Sequence, residues 1–354
     1  MATTQYGVNH PNAVKLWRKM LYQEALKQTW ASKFMGKDSN SLIQELDETS
    51  KGPGDRVRII LRMLLSGAGV QGDSTLEGSE EALTTYSDDV LIDQLRHGVR
   101  SVGRMSEQRV PFSVRDEGLA GLKDWYADKI DTGFANHICG NTAQTDTRYT
   151  GNNATIAPTA TTRWIFSDDN TVETTLTSGS SDQMVLSLID TAVAKAKTAT
   201  PQIRPINVSG DQFYVCFLDT WQAKNMKTNY GTGGWGDIQK AAMSGGDVSK
   251  NPIFTGALGV HSGVVLHETT RAYTPTSDGG TRLARAVLCG AQAVALAYGQ
   301  DAQQGSDRMS WVEELFDFGN QLGIGVGMIW GMKKTVFNST DFGTVVISTN
   351  AVAA

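Results

Sequence analysis

Between Ser66 and Tyr86 the chain reads SGAGVQGDSTLEGSEEALTTY, almost entirely Gly, Ser, Thr and acid. DRVRIILRMLL precedes this stretch and SDDVLIDQLRHGVRSVG follows it, and both read as strands. A hairpin tip of this length is more than a compact domain usually carries. On the outgoing strand Val57, Ile59, Leu61, Met63 and Leu65 share one face. Arg56, Arg58, Ile60, Arg62 and Leu64 share the other, by the two-residue period of a strand. Asp88, Asp89 and Asp93 return opposite the arginines, an attractive cross-strand arrangement. Ten residues of strand reach about 33 Å, and a lone two-stranded ribbon is marginal in water. The arm has to lie against something.

The rest of the 354 residues supplies a real core: 40% are apolar and 19% charged, the balance of a globular protein. The formal charge of −5 gives no basic footprint and argues against nucleic-acid binding as the main task. It leaves open a surface that faces packed DNA. The start, MATTQYGVNHPNAVKLW, shows no basic stretch followed by an apolar run, so no secretory signal is expected. No apolar run is long enough for a membrane span. Cys139, Cys216 and Cys289 are widely spaced and read as reduced core residues of a protein made in a cytosol.

Residues 13–35 carry helix formers with a partial apolar stripe, after Pro11 and Asn12. Ser113 with Asp116 fits a capping box, Gly140 suits the position past a helix end, and Leu119, Leu122, Tyr126, Ile130, Phe134 and Ile138 recur at steps of three and four. A helix of about 40 Å is expected here. Residues 141–180 are Thr-, Asn- and Gly-rich and read as a surface excursion, and residues 182–198 read as a helix. DQFYVCFLDT and HSGVVLHE read as strands, TWQAKNMKT and WGDIQKAAM as short helices, and ARAVLCGAQAVALAYG as a strand, a Gly break and a short helix. The C-terminal third is strand with many glycines.

Candidate chemistry is thin. His261, His267 and Glu268 are possible zinc ligands, but on one strand the two histidines sit about 20 Å apart. Arg271 stands where a helical H-E-x-x-H motif needs its second His. Gly323, Gly325, Gly327 and Gly331 alternate through a strand. That pattern marks close backbone approach or a bend rather than a dinucleotide fingerprint. Arg96 and His97 form a possible anion site or a solvated or intersubunit face. No P-loop, no G-x-S-x-G elbow and no C-x-x-C occurs. No catalytic residue, metal or cofactor is expected. The eight tryptophans are scattered and read as core or interface anchors.

The order of elements resembles the major capsid proteins of tailed bacteriophages with the HK-97-type fold. The stretch from GDRVRIILRMLLSGAG to RHGVRSVGRMSEQRV is similar to the extended-loop region of the group typified by the phage N-four capsid protein. NPIFTGALGVHSGVVLHE, ARAVLCGAQAVALAYG and FDFGNQLGIGVGMIWGMKKTVF are similar to that group as well. The resemblance implies an α+β fold with an N-terminal arm at 1–50, an extended β-hairpin loop at 51–112 and a spine helix at 113–140. The spine helix would belong to a peripheral domain made of 113–212 and 311–354, and 213–310 would form an axial domain. It implies a structural protein that assembles into pentamers and hexamers of an icosahedral head around double-stranded DNA. The implied contacts between subunits are Arg56, Arg58, Arg62, Leu76, Glu77, Asp88, Asp89, Asp93 and Arg96. The implied partners are other copies of the chain, a separate scaffolding protein, a portal and possible decoration proteins, with DNA met only by proximity and no membrane. The place of action would be the virion, after assembly in the bacterial host cytoplasm. Two alternatives stand beside this reading. One is a cellular shell of the encapsulin kind, and the other is a metal-dependent hydrolase using His261, His267 and Glu268.

Overall fold

The glycine alternation of GIGVGMIWG lies within a strand of fourteen residues, Gln321–Lys334, about 46 Å long. A strand sends alternate residues to opposite faces. Gly323, Gly325 and Gly327 therefore share one face, while Ile324, Val326, Met328 and Trp330 are buried on the other. The structure is a computed structural model and describes residues 30–46, 54–109, 113–159, 162–168, 170–208, 210–228, 257–299 and 309–352. The expected helix at 13–35 lies mostly outside these residues; its described end, Trp30–Phe34, is a 3-10 turn. The helix expected at WGDIQKAAM also lies outside them.

In chain order the first strands are β1 (Met35–Gly36), β2 (Ile43–Leu46), β3 (Arg56–Arg62), β4 (Thr85–Leu91) and β5 (Asp93–Arg100). Helices α1 (Arg104–Gln108) and α2 (Val114–Cys139) follow, then β6 (Trp164–Phe166) and α3 (Leu186–Thr198). Next come β7 (Ile206–Val208), β8 (Asp211–Asp219), α4 (Thr220–Thr228), β9 (Ala257–His261) and β10 (Val264–Thr269). The chain continues through β11 (Leu283–Cys289), β12 (Val294–Tyr298), β13 (Met309–Phe316) and β14 (Gln321–Lys334). It closes with β15 (Val336–Phe337), β16 (Thr340–Asp341) and β17 (Thr344–Asn350).

Two sheets result. The first runs β1-β2-β12-β14-β13, with β5 also paired to β14. β5 lies along one side of β14, beside Gly323–Trp330, while β13 and β12 follow one another along the other, beside Gln321–Met328 and Trp330–Lys334. The second sheet runs β6-β17-β11-β8-β10-β9, with β7 on β8. The hairpin β3–β4 forms a separate ribbon.

Helix α2 joins the two sheets. Ser113 caps it by accepting the Asp116 N–H, and Gly140 closes it in the left-handed region at φ 62. At 26 residues it is about 39 Å long. Leu122, Tyr126, Ile130, Phe134 and Ile138 are buried in one core with Trp330 and Met332 of the first sheet and Phe217 and Val287 of the second. The Tyr126 hydroxyl donates to Leu95 O at 2.9 Å. The Trp330 ring and the Met332 thioether pack beside the helix at Gly133. The opposite face of the second sheet is covered by α3 through Ile189, Ala192, Val193 and Ala196.

Several expectations change. ARAVLCGAQAVALAYG is two strands, β11 and β12, with no helix. A short apolar run does not by itself separate helix from buried strand, and here β2 and β14 flank β12 as sheet partners. HSGVVLHE is a hairpin turned at Ser262 and Gly263, φ 49 and 74. Residues 141–180 hold more than a surface excursion: Asn153, Arg163 and Glu173 are buried there. The sheets also cut across the expected segments. β6, β7 and β17 belong to the second sheet, and β12 to the first.

Candidate functional site

The sequence draws attention to the arm, and the structure divides it into a held base and a bare tip. At the base Val57 and Val90 are buried against Ala295 and Ala297 of β12. Of the apolar face formed by Val57, Ile59, Leu61, Met63 and Leu65, Val57 is buried, the next three are half-buried and Leu65 is exposed. The return strand then breaks at Ile92: β4 pairs with β3 in the ribbon and β5 pairs with β14 in the sheet.

Three features fix this junction. The Leu91 N–H donates to Asn153 Oδ1 and Asn153 Nδ2 donates to Leu91 O, each at 2.9 Å. Lys333 Nζ pairs with the Asp88 carboxylate and donates to Asp89 O at 3.0 Å. Asp88 also accepts the Val336 N–H at 3.2 Å. Gly331 lies directly beneath, where a methyl group would fall 1.8 Å from Leu91 O. Only a residue without a side chain fits such an approach.

Beyond the base the arm is uncovered. Ile60, Leu64, Leu65, Leu76 and Leu83 are exposed, Leu64 at 93%, and every residue from 71 to 85 is exposed. The ladder ends where the Met63 N–H donates to Thr84 O at 3.0 Å. Glu81 shapes the loop by accepting the Ser66 N–H at 2.8 Å and the Gly67 N–H at 2.6 Å. These backbone donors hold its carboxyl below the ordinary range.

The candidate contact residues are distributed unevenly over these parts. Arg58 pairs with Asp89 through two hydrogen bonds, at 2.8 and 3.0 Å, and that guanidinium holds the Asp89 carboxyl low. Arg56 and Arg62 are exposed opposite Leu91 and Thr85. The expected array of three arginines against three aspartates is therefore one cross-strand pair. Asp88 belongs to the base. Asp93 is exposed at the junction, where its carboxylate accepts the Gln94 N–H at 2.7 Å. Leu76 and Glu77 are exposed on the tip, and Arg96 is exposed on the outer face of the first sheet, beside Gly327. Sequence reasoning missed Asn153 and Lys333, which lie far along the chain with no local signal.

The hydrolase candidates do not converge. His267 is buried with its ring centroid 5.3 Å from that of Phe34. His261 Nε2 lies 3.1 Å from Asp190 Oδ1, and Glu268 lies 3.9 Å from Lys227. Among the described residues no group of three or more His, Cys, Asp or Glu is placed to hold a metal ion. His97 stacks on Trp125 of α2, ring centroids 4.6 Å apart. The three cysteines are buried, and burial pushes the Cys139 thiol up to about 11 and the Cys216 thiol to about 12.

Comparison with known proteins bears directly on this arrangement. Residues 5–353 match the model of a family described as phage capsid protein. The major capsid protein of Pseudomonas phage KPP25 is 28% identical over 379 aligned residues, 93% of each chain. The capsid of Ralstonia phage GP4 superposes with a TM-score of 0.81 at 32% identity, over 99% of both chains. The capsid asymmetric unit of cyanophage Pam1 gives 0.73 at 20% identity, over 100% of this chain and 95% of the other, a likeness of fold.

Proposed function

Because this chain belongs to the phage capsid protein family, as a major capsid protein, we propose that it builds pentamers and hexamers of an icosahedral head around double-stranded DNA, each arm lying across a neighbouring copy. The observation that carries the reading is the bare arm tip. Taking one leucine side chain from water contributes about 1.5–3 kcal/mol, and Leu64, Leu65, Leu76 and Leu83 are all left exposed by the chain's own body. An exposed apolar projection of this kind fits an obligate interface. The exposed charges Arg56, Arg62, Glu77, Asp93 and Arg96 would line it, with the Arg58–Asp89 pair stiffening the ribbon.

The regions follow the sheets in this proposal. The first sheet with α2 forms the peripheral part, and the second sheet with α3 forms the axial part. Remaining partners would be a separate scaffolding protein, a portal and possible decoration proteins, with assembly in the host cytoplasm. The function is structural and needs no catalytic group.

The test is to replace residues 66–83 with an Asn-Gly turn, which suits a two-residue hairpin. A folded, soluble subunit that forms no closed particles by electron microscopy is the expected result. Normal particles from the shortened chain would refute the role of the arm.

A further inference from the structure

The segment KKTVFNSTD at 333–341 turns back on itself. Asn338 and Ser339, at φ 49 and 58, form the two-residue turn that suits a hairpin, and β15 and β16 pair Val336 with Asp341. Alternation along β14 sends neighbouring side chains to opposite faces. Lys333 goes to Asp88 at the arm base. Lys334 goes into the interior, where the hairpin brings Asp341 back to meet it. Lys334 Nζ lies 2.9 Å from Asp341 Oδ1.

The two pairs differ in their access to water. Lys333 and Asp88 keep 17% and 12% of their side-chain surface exposed, whereas Lys334 and Asp341 keep 1% each. Taking an ammonium and a carboxylate out of water is costly, and their attraction offsets the cost only where the geometry is good. Here it is incomplete. Asp341 Oδ1 has no aligned hydrogen bond, and Lys334 Nζ donates instead to Ile156 O at 3.0 Å and Ala157 O at 3.5 Å. Burial pushes the Lys334 pKa down. A neutral amine keeps two hydrogens for the two carbonyls and has a lone pair left for its remaining neighbour, Asp341. The carboxyl group is held from other sides. The Thr159 N–H donates to its Oδ2 at 3.3 Å. Arg163, fully buried with Nε and Nη1 unpartnered, adds positive charge near the same group.

We infer that Lys334 and Asp341 condense to an amide, an isopeptide bond within one chain. One ammonium proton passes to Oδ1, leaving an amine and an acid. The nitrogen attacks Cγ, and the negative charge that develops on Oδ2 is stabilised by the Thr159 N–H and the Arg163 guanidinium. A second proton moves from nitrogen to Oδ1, the Cγ–Oδ1 bond breaks and water leaves. Nothing is oxidised or reduced, and no co-reactant is used. The amide keeps one N–H for Ile156 O. Reacting groups already in contact are spared the entropy loss of a bimolecular encounter, and a dry interior favours a neutral amide over two charges. The bond would tie β14 of the first sheet to the chain that enters β17 of the second. It goes beyond the shell reading and takes nothing from it.

The test is the intact mass of the full-length, purified and denatured chain. Most chains are expected to be about 18 Da lighter than their sequence, the mass of one lost water. Trypsin is expected to leave the peptide 334–354 uncut after Lys334 and lighter by that same amount. Lys334→Arg, which cannot form the bond, is expected to restore the full mass. Because mass is read on denatured chains, the comparison holds whether or not the variant folds. Most chains at full mass, a light chain that trypsin still cuts after Lys334, or a light Lys334→Arg chain would each overturn the inference. Full mass in chains that build normal particles would overturn it alone. A light, cross-linked chain that builds none would sustain it while the shell reading fell.

Discussion

At the scale of single residues, Asn153 is the least conspicuous part of the arm and among the most consequential. Its amide mimics a strand neighbour for Leu91, giving one acceptor and taking one carbonyl. Asn153→Ala leaves both backbone groups of Leu91 without these partners, which costs about 1–3 kcal/mol where they are shielded from water. The expected result is faster amide exchange at Leu91, with α2 unaffected. Unchanged exchange at the junction would contradict this role. His137 sets an acid limit of a different kind. It is fully buried, with Nε2 2.6 Å from Thr150 O, and burial pushes its pKa down to about 4 from an ordinary 6.5. The unfolded chain binds this proton more readily than the folded one. The stabilisation is therefore complete above about pH 6.5 and is lost as pH falls toward 4, an effect of about 3 kcal/mol. His137→Gln removes the proton site while keeping a donor for Thr150 O. In urea titrations between pH 4 and 7 its stability is expected to fall less steeply with acid than that of the unaltered chain, and an equal slope would contradict the account.

At the scale of elements, α2 depends on what holds its C-terminal end to the second sheet. Arg285 of β11 donates to Cys139 O at 3.0 Å and Gly140 O at 2.8 Å, and pairs with Glu173 through bonds of 2.5 and 2.7 Å. A cation at a helix C-terminus meets the negative end of its dipole. Arg285→Met would leave Glu173 buried without its counterion, a loss of about 3–5 kcal/mol. The double variant with Glu173→Leu is expected to recover part of that loss in thermal unfolding; a double variant no better than the single one would assign the cost to packing instead. The elements differ in how openly they could be read. Helix α2 was legible because its cap, its apolar spacing and its closing glycine all agree within one stretch. The alternating glycines of β14 were legible as close approach, and Gly331 beneath Leu91 O is that approach. β12 was misread because an Ala-rich apolar run carries no sign of the strands that flank it. Arg285 was silent because its partner Glu173 lies 112 residues away, in a segment read as surface.

At the scale of the whole molecule, the arm was legible in the sequence as a ribbon too long to stand alone, while its base was not, since Asn153, Lys333 and Gly331 converge only in the folded chain. The base explains why the ribbon projects at all. It is clamped by the body for its first residues and bare thereafter, so the chain is folded yet incomplete. In the shell proposed above, that uncovered surface would be buried when a sister molecule arrives. The central claim is tested most directly by amide hydrogen exchange over residues 63–84, compared between free subunits and assembled particles. The account predicts rapid exchange in the subunit and strong protection in the particle. A tip already protected in the free subunit, or one still exchanging freely in the closed shell, would contradict it.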